Sequence, residues 1–291
     1  MAERALRMVG VGLVTAFLIW QFLVRPLFFY FKYKVQARPT IESCHPSELP
    51  EAVRENFDQC FAELSELKFR HCGTFTMPQA IKNLKSLFAV YENEQLSVVA
   101  VTTALFLKVN SEWRLNQQFA SFGTQFSDGC DVDTLNVTDL FLYPFRPDWI
   151  RTLHPELRSM KDLFNAHVSM VEHHRNGRSS VSNFQTRYNS DVLRYYSEST
   201  FEELSYAESV GYLKLKQSQF ENSDPGQQLE SENPYRAPAA ELIDQGSVFV
   251  PTLLGSFKVM WQVVWPVKPI LGRIRLARDR KKLAETGYQW Q

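Results

Sequence analysis

The residues best able to do chemistry fall in two short stretches. The first is a histidine group, His167, His173 and His174, with Glu172 in "PELRSMKDLFNAHVSMVEHHR". A zinc pair on one helix needs His at i and i+4, so that two ring nitrogens reach one ion. His167 and His174 are two helical turns apart, roughly 10 Å, and no His-x-x-x-His occurs. Helical spacing puts His167 on one face with Met160, Phe164 and Val171, where a hydrogen-bonded core histidine is expected.

The second stretch is acidic: "SDGCDVDTLN" carries Asp128, Asp131 and Asp133. Oxygen-rich loops hold calcium, but the twelve-residue loop with its distal Glu is missing. The Asp-Val-Asp-Thr order of residues 131–134 superficially resembles the Asp-x-Asp-x-Thr loop of haloacid-dehalogenase phosphatases. That loop must end a buried apolar strand, and "FSDG" is no such strand. A hairpin turn with exposed carboxylates is expected, leaving Asp131, Asp133 and His167 as weak candidates for a polar site.

No Gly-x-Ser-x-Gly elbow, Cys/His nucleophile signature or phosphate-cradling Gly loop is present, and Gly10 and Gly12 lie in an apolar run. No catalytic residue, metal or cofactor is therefore expected, and a non-enzymatic role is the expectation. Cys44, Cys60, Cys72 and Cys130 contain no Cys-x-x-Cys pair, so buried free thiols are expected.

Several elements would position these groups. Val53, Phe57, Cys60, Leu64 and Leu67 keep helical spacing after Pro50. "SLFAVYE" and "LSVVAVTTALFL" form one hairpin; "QFASFGTQF" and "CDVDTLNV" form another around Ser127-Asp128-Gly129, where Gly accepts the positive φ of a tight turn. Residues 68–143 thus read as an antiparallel sheet of about four or five strands. Helices return around His167 and near 189–212, with Val192, Tyr195 and Tyr196 on one face. The fold class is α+β.

Charge separates the ends from the middle although the 291 residues sum to zero. Residues 1–38 hold six Lys/Arg against Glu3, and 258–291 hold eight against Asp279 and Glu285. The remaining 18 Lys/Arg face 29 Asp/Glu. An acidic domain between basic, apolar ends suits a membrane protein and argues against nucleic acid as a partner.

Met8–Val24 supplies 17 uncharged residues, roughly 26 Å of helix, and "LFFYF" extends it toward a ~30 Å hydrocarbon core. No small-x-small cleavage site follows, so an uncleaved anchor is expected. Arg25, Lys32, Lys34 and Arg38 outnumber Arg4 and Arg7, which places the domain on the cytoplasmic side of a single-pass protein.

At the other end Phe257, Met260, Trp261 and Val264 form one stripe. With Trp265 and the prolines, they predict an interfacial amphipathic helix; a second span over 248–267 is the competing topology. Arg273, Arg275, Arg278, Arg280, Lys281 and Lys282 would then meet anionic headgroups, as Trp20, Arg25, Lys32 and Lys34 would at the first end. The chain divides into an anchor with its basic flank (1–38), an α+β domain (39–216), a polar linker (217–246) and a membrane-associating tail (247–291).

The order of anchor, "TQFSDG…DTLN", "AHVSMVEHH", "ENPYRAP" and "PTLLGSFKVMWQVVWPVKPI" resembles an uncharacterised family of bacterial membrane-associated proteins. The resemblance implies this architecture and no activity. The functional expectation is a membrane-anchored binding or scaffold protein, its partners the lipid bilayer and an unidentified protein. The alternative is a membrane-bound hydrolase of lipid-derived or envelope substrates, using Asp131, Asp133 or His167.

Overall fold

The computed structural model describes residues 2–138, 143–216, 247–263 and 267–289. The chain opens with helix α1 (Ala2–Ile19), a π turn (Trp20–Val24) and α2 (Arg25–Lys32). Pro26 has no N–H to continue the i→i−4 ladder, and just before it the Arg25 N–H reaches back to the Trp20 carbonyl in the wider spacing. The stretch Met8–Lys32 is long and apolar enough to cross a membrane, and its most apolar window contains no buried residue.

Short strands β1 (Val35–Gln36) and β2 (Glu42–Ser43) lead to helix α3 (Glu51–Glu66), which buries Val53, Phe57, Cys60 and Leu64 as the spacing predicts. Then come β3 (Arg70–Ile81), β4 (Leu84–Asn93), β5 (Val98–Val109), β6 (Glu112–Phe126), β7 (Asp131–Leu135) and β8 (Trp149–Leu153). Strict alternation in β5 buries Val98, Ala100, Thr102, Ala104 and Phe106, the period-2 pattern of a pleated strand. Between β6 and β7, Gly129 takes φ +85° and its N–H donates to the Phe126 carbonyl.

Helix α4 (Met160–Arg175) starts where Ser159 Oγ accepts the Asp162 N–H at 3.0 Å and ends at left-handed Asn176. Strand β9 (Ser180–Val181), the short α5 (Asn183–Thr186), and α6 (Val192–Ser209), capped by Asp191, follow. The chain closes with β10 (Leu213–Lys216), β11 (Val248–Pro251), α7 (Leu253–Val263) and α8 (Val267–Glu285).

The eleven strands among the described residues join one sheet, in the order β10-β11-β1-β3-β4-β5-β6-β7-β8, with β2 and β9 beside β3 and β6. Every pairing is antiparallel except β7 with β8. On one face lies the main core, where α3 and α4 meet Tyr91, Phe122, Phe126 and Val132 of the sheet. On the other, Val192, Tyr195 and Tyr196 of α6 pack with Phe75, Phe88 and Val90. The α+β class therefore holds, with a larger sheet than the four or five strands expected.

Strand pairing crosses the divisions expected at 38 and 247. Val35 pairs with Phe249 and Ile81, and β10 pairs with β11 from Leu213↔Pro251 to Lys216↔Val248. The expected linker, 217–246, lies outside the described residues. The expected tail completes the sheet and sends Leu283, fully buried, into the main core. Helix α8 is held there by Asp279: its Oδ2 accepts the Leu153 N–H at 3.2 Å, and Arg278 donates to its Oδ1. Val248–Pro251 is strand, paired with β1 and β10, and α7 is described over Leu253–Val263.

Candidate functional site

Between the sheet and α6 lies a cavity of about 280 Å³. Its construction begins in β7, where period-2 geometry turns Asp131 and Asp133 to the α6 side, while Val132 and Thr134 face α4. The parallel pairing with β8 sets Trp149 opposite Asp131 and Arg151 opposite Asp133. The Arg151 Nε donates to Asp133 Oδ2 at 3.0 Å, and its Nη1 lies 3.6 Å from Glu203 of α6. Its guanidinium also stacks over Trp149 and Phe145, 4.2 and 4.6 Å from the ring centroids. A buried cation held by two carboxylates and two aromatic faces is well compensated. Burial still pushes the Asp133 and Glu203 carboxyls above their ordinary pKa, with Arg151 opposing.

A second set lines the mouth. Arg146 bridges Asp148 at 2.6 Å and Glu202 at 3.2 Å, and Arg187 meets Glu202 at 3.3 Å. Four carboxylates (Asp131, Asp133, Glu202, Glu203) thus face three guanidiniums (Arg146, Arg151, Arg187) in the lining. Each of these except Asp131 has an opposite charge within 4 Å among the described residues. Burial and the neighbouring Asp133 raise the Asp131 pKa to about 7, against the pull of Arg146 and a hydrogen bond from Gln125. Gln125 Oε1 and Trp149 Nε1, also in the lining, are buried without a hydrogen-bond partner. The arrangement offers a ligand one carboxylate, one amide acceptor and one indole donor, within walls that include Tyr188, Tyr195 and Tyr196.

His167 is not part of this cavity. It is fully buried on the α4 side, its Nε2 2.8 Å from Thr124 Oγ1 and its Nδ1 3.1 Å from Thr134 Oγ1. Burial lowers its pKa to about 3. The sheet separates it from Asp131 and Asp133, so the three candidates do not form one constellation. Nor are the two aspartates the exposed turn carboxylates expected: Asp128 alone takes that place, paired with Arg178 at 2.9 Å. Among the described residues no group of three or more His, Cys, Asp and Glu is placed to hold a metal. All four cysteines are free thiols, of which Cys60 is buried and the other three are half-buried.

Reading the sequence alone missed Arg146, Trp149, Arg151, Glu202 and Glu203, and also His154, buried 3.8 Å from Glu156. The available signal was "RPDWIR", where Trp149 and Arg151 share one face of an extended strand, but its meaning depends on the parallel register with β7.

The membrane-interface candidates divide as well. Trp20 is exposed, Lys32 and Lys34 are exposed at the foot of the apolar helix, and Arg25 donates to Gln21 at 2.7 Å. Helix α7 packs along α2, with the Trp261 ring 5.4 Å from Phe22 and its outer side exposed. Trp265 lies outside the described residues. In α8, Arg273 is exposed and Arg275 and Lys282 are half-buried, while Arg278 and Arg280 pair with Asp279 and Glu156 and Lys281 lies 3.9 Å from Glu285. Comparison with known protein families, characterised proteins and solved structures finds no match to this chain.

Proposed function

We propose that this chain is a membrane-anchored binding protein whose domain takes a small amine-bearing ligand in the cavity between the sheet and α6. The observation that carries this reading is Asp131, the lining carboxylate left without a counter-ion, beside the orphaned acceptor of Gln125. An ammonium group would neutralise the one and satisfy the other, with the aromatic walls adding cation–π attraction. The anchor is Met8–Lys32, with α7 at the interface and the domain on the cytoplasmic side, where the basic residues of both ends meet anionic headgroups. The resemblance to bacterial membrane-associated proteins belongs to the same reading.

A membrane-bound hydrolase is the second reading. A carboxyl with a pKa of about 7 beside another carboxyl suits proton transfer at neutral pH. It places Asp131 as the acid or base and leaves His167 out.

The test is thermal unfolding of the purified full chain with methylamine, ethanolamine and putrescine at pH 8, where Asp131 is ionised. Stabilisation by at least one amine, lost in Asp131→Asn, is expected. If no amine stabilises the chain, or the variant responds as the wild type does, the binding reading fails.

A further inference from the structure

The foot of the anchor forms a second cleft, of about 700 Å³, unrelated to the Asp131 cavity. Arg25, Phe28, Phe29 and Lys32 fall at i, i+3, i+4 and i+7, one face of α2. Lys34 follows on the chain leaving the helix. From a different part of the fold, the two-residue turn between β3 and β4 brings Lys82 to the same cleft, with Asn83 at φ +65° closing the turn. Four cations line the cleft and no carboxylate does. Among the described residues, none of the four has an acidic partner within 4 Å. In α8, by contrast, Arg278 and Arg280 are held by Asp279 and Glu156. Ile81 and Met260 add apolar surface beside Phe28 and Phe29.

Depth along the helix identifies the occupant. Arg25 ends the uncharged run that begins at Met8, and Lys32 lies seven residues on, roughly 10 Å along the axis. That interval is the layer between hydrocarbon and water, where lipid phosphates lie. We infer that this cleft binds the headgroup of one anionic phospholipid, the phosphate between Lys32, Lys34 and Lys82 and the glycerol end against Phe28 and Met260. The inference rests on the anchor reading above, and it makes the lipid a ligand of the folded domain as well as its surroundings.

The test uses the full chain in uncharged detergent, titrated with dioctanoyl phosphatidylglycerol, dioctanoyl phosphatidylcholine or inorganic phosphate, and read by thermal unfolding. Saturable stabilisation by phosphatidylglycerol alone is expected. Lys34→Gln and Lys82→Gln, both at exposed positions, should each weaken it about five-fold, from the ~1 kcal/mol a basic residue contributes near an anionic surface. The control Lys161→Gln, at an exposed position on α4, should bind as the wild type does. Equal stabilisation by phosphatidylcholine, an equal response to inorganic phosphate, or unchanged affinity in Lys82→Gln would each overturn the site. A carbonate wash of membranes separates the two claims. Release of the chain would sink the anchor itself, whereas retention with a failed titration would sink only the cleft.

Discussion

His167 and Asp131 sit on opposite faces of the same sheet and give opposite pH dependences. Unfolded, His167 titrates near 6.5; in the fold burial holds its pKa at about 3. Between those values the unfolded chain binds a proton that the fold refuses, so this contribution is full above about pH 6.5 and is lost as pH falls toward 3. The slope approaches about 1.4 kcal/mol per pH unit. Denaturant unfolding of His167→Gln should lose that slope and, at pH 8, cost about 1–3 kcal/mol because a threonine hydroxyl is left without its partner. Asp131 runs the other way, with a folded value of about 7 against 3.8 unfolded. The fold holds a proton the unfolded chain has released, so the penalty grows from pH 4 and is complete above 7. Asp131→Asn should leave stability at pH 4 unchanged and raise it at pH 8, on the order of 1–3 kcal/mol after allowance for partial exposure. The role of His167 was legible because Met160, Phe164 and Val171 share its helical face. That of Asp131 was not: the alternation of β7 shows that Asp131 and Asp133 face one way, but not that β8 and α6 close over them.

Elements built from neighbouring residues were the readable ones. The β4–β5 and β6–β7 hairpins announce themselves by alternation and turn residues, and α3, α4 and α6 by their apolar stripes. Strands β8, β10 and β11 are short, and their partners are fixed by contacts distant in the chain, which no local pattern encodes. The docking of α8 is of the same kind, since its composition is that of a basic tail and its attachment rests on Asp279 and Leu283. Leu283→Ala should cost about 2–5 kcal/mol of global stability in denaturant unfolding, whereas a free tail would show no change. Gly255 tests the seat of α7. A Cβ there would lie 2.0 Å from the Tyr212 carbonyl oxygen, which α7 cannot accommodate without moving away. Gly255→Ala should destabilise the chain by about 1–3 kcal/mol and expose the 253–263 segment to protease in a limited-digestion assay.

At the scale of the whole molecule, both ends of the chain meet at one place. Helix α7 packs on α2, β11 pairs with β1, and the turn carrying Lys82 closes the same corner. A domain tied at that corner presents the opposite parts of its sheet to the surrounding water. The charge asymmetry at the ends is legible in the sequence and carries the membrane proposal, while the shared corner depends on pairing between residues more than 200 positions apart. The compartment of the domain tests the proposed cytoplasmic placement most directly. Glu112, at the tip of the β5–β6 hairpin, has a side chain 72% exposed. Labelling of Glu112→Cys by a membrane-impermeant maleimide, against the wild-type background, reads its compartment. The account predicts added labelling only after cells are lysed. Added labelling in intact cells would contradict a cytoplasmic domain and reverse the anchor.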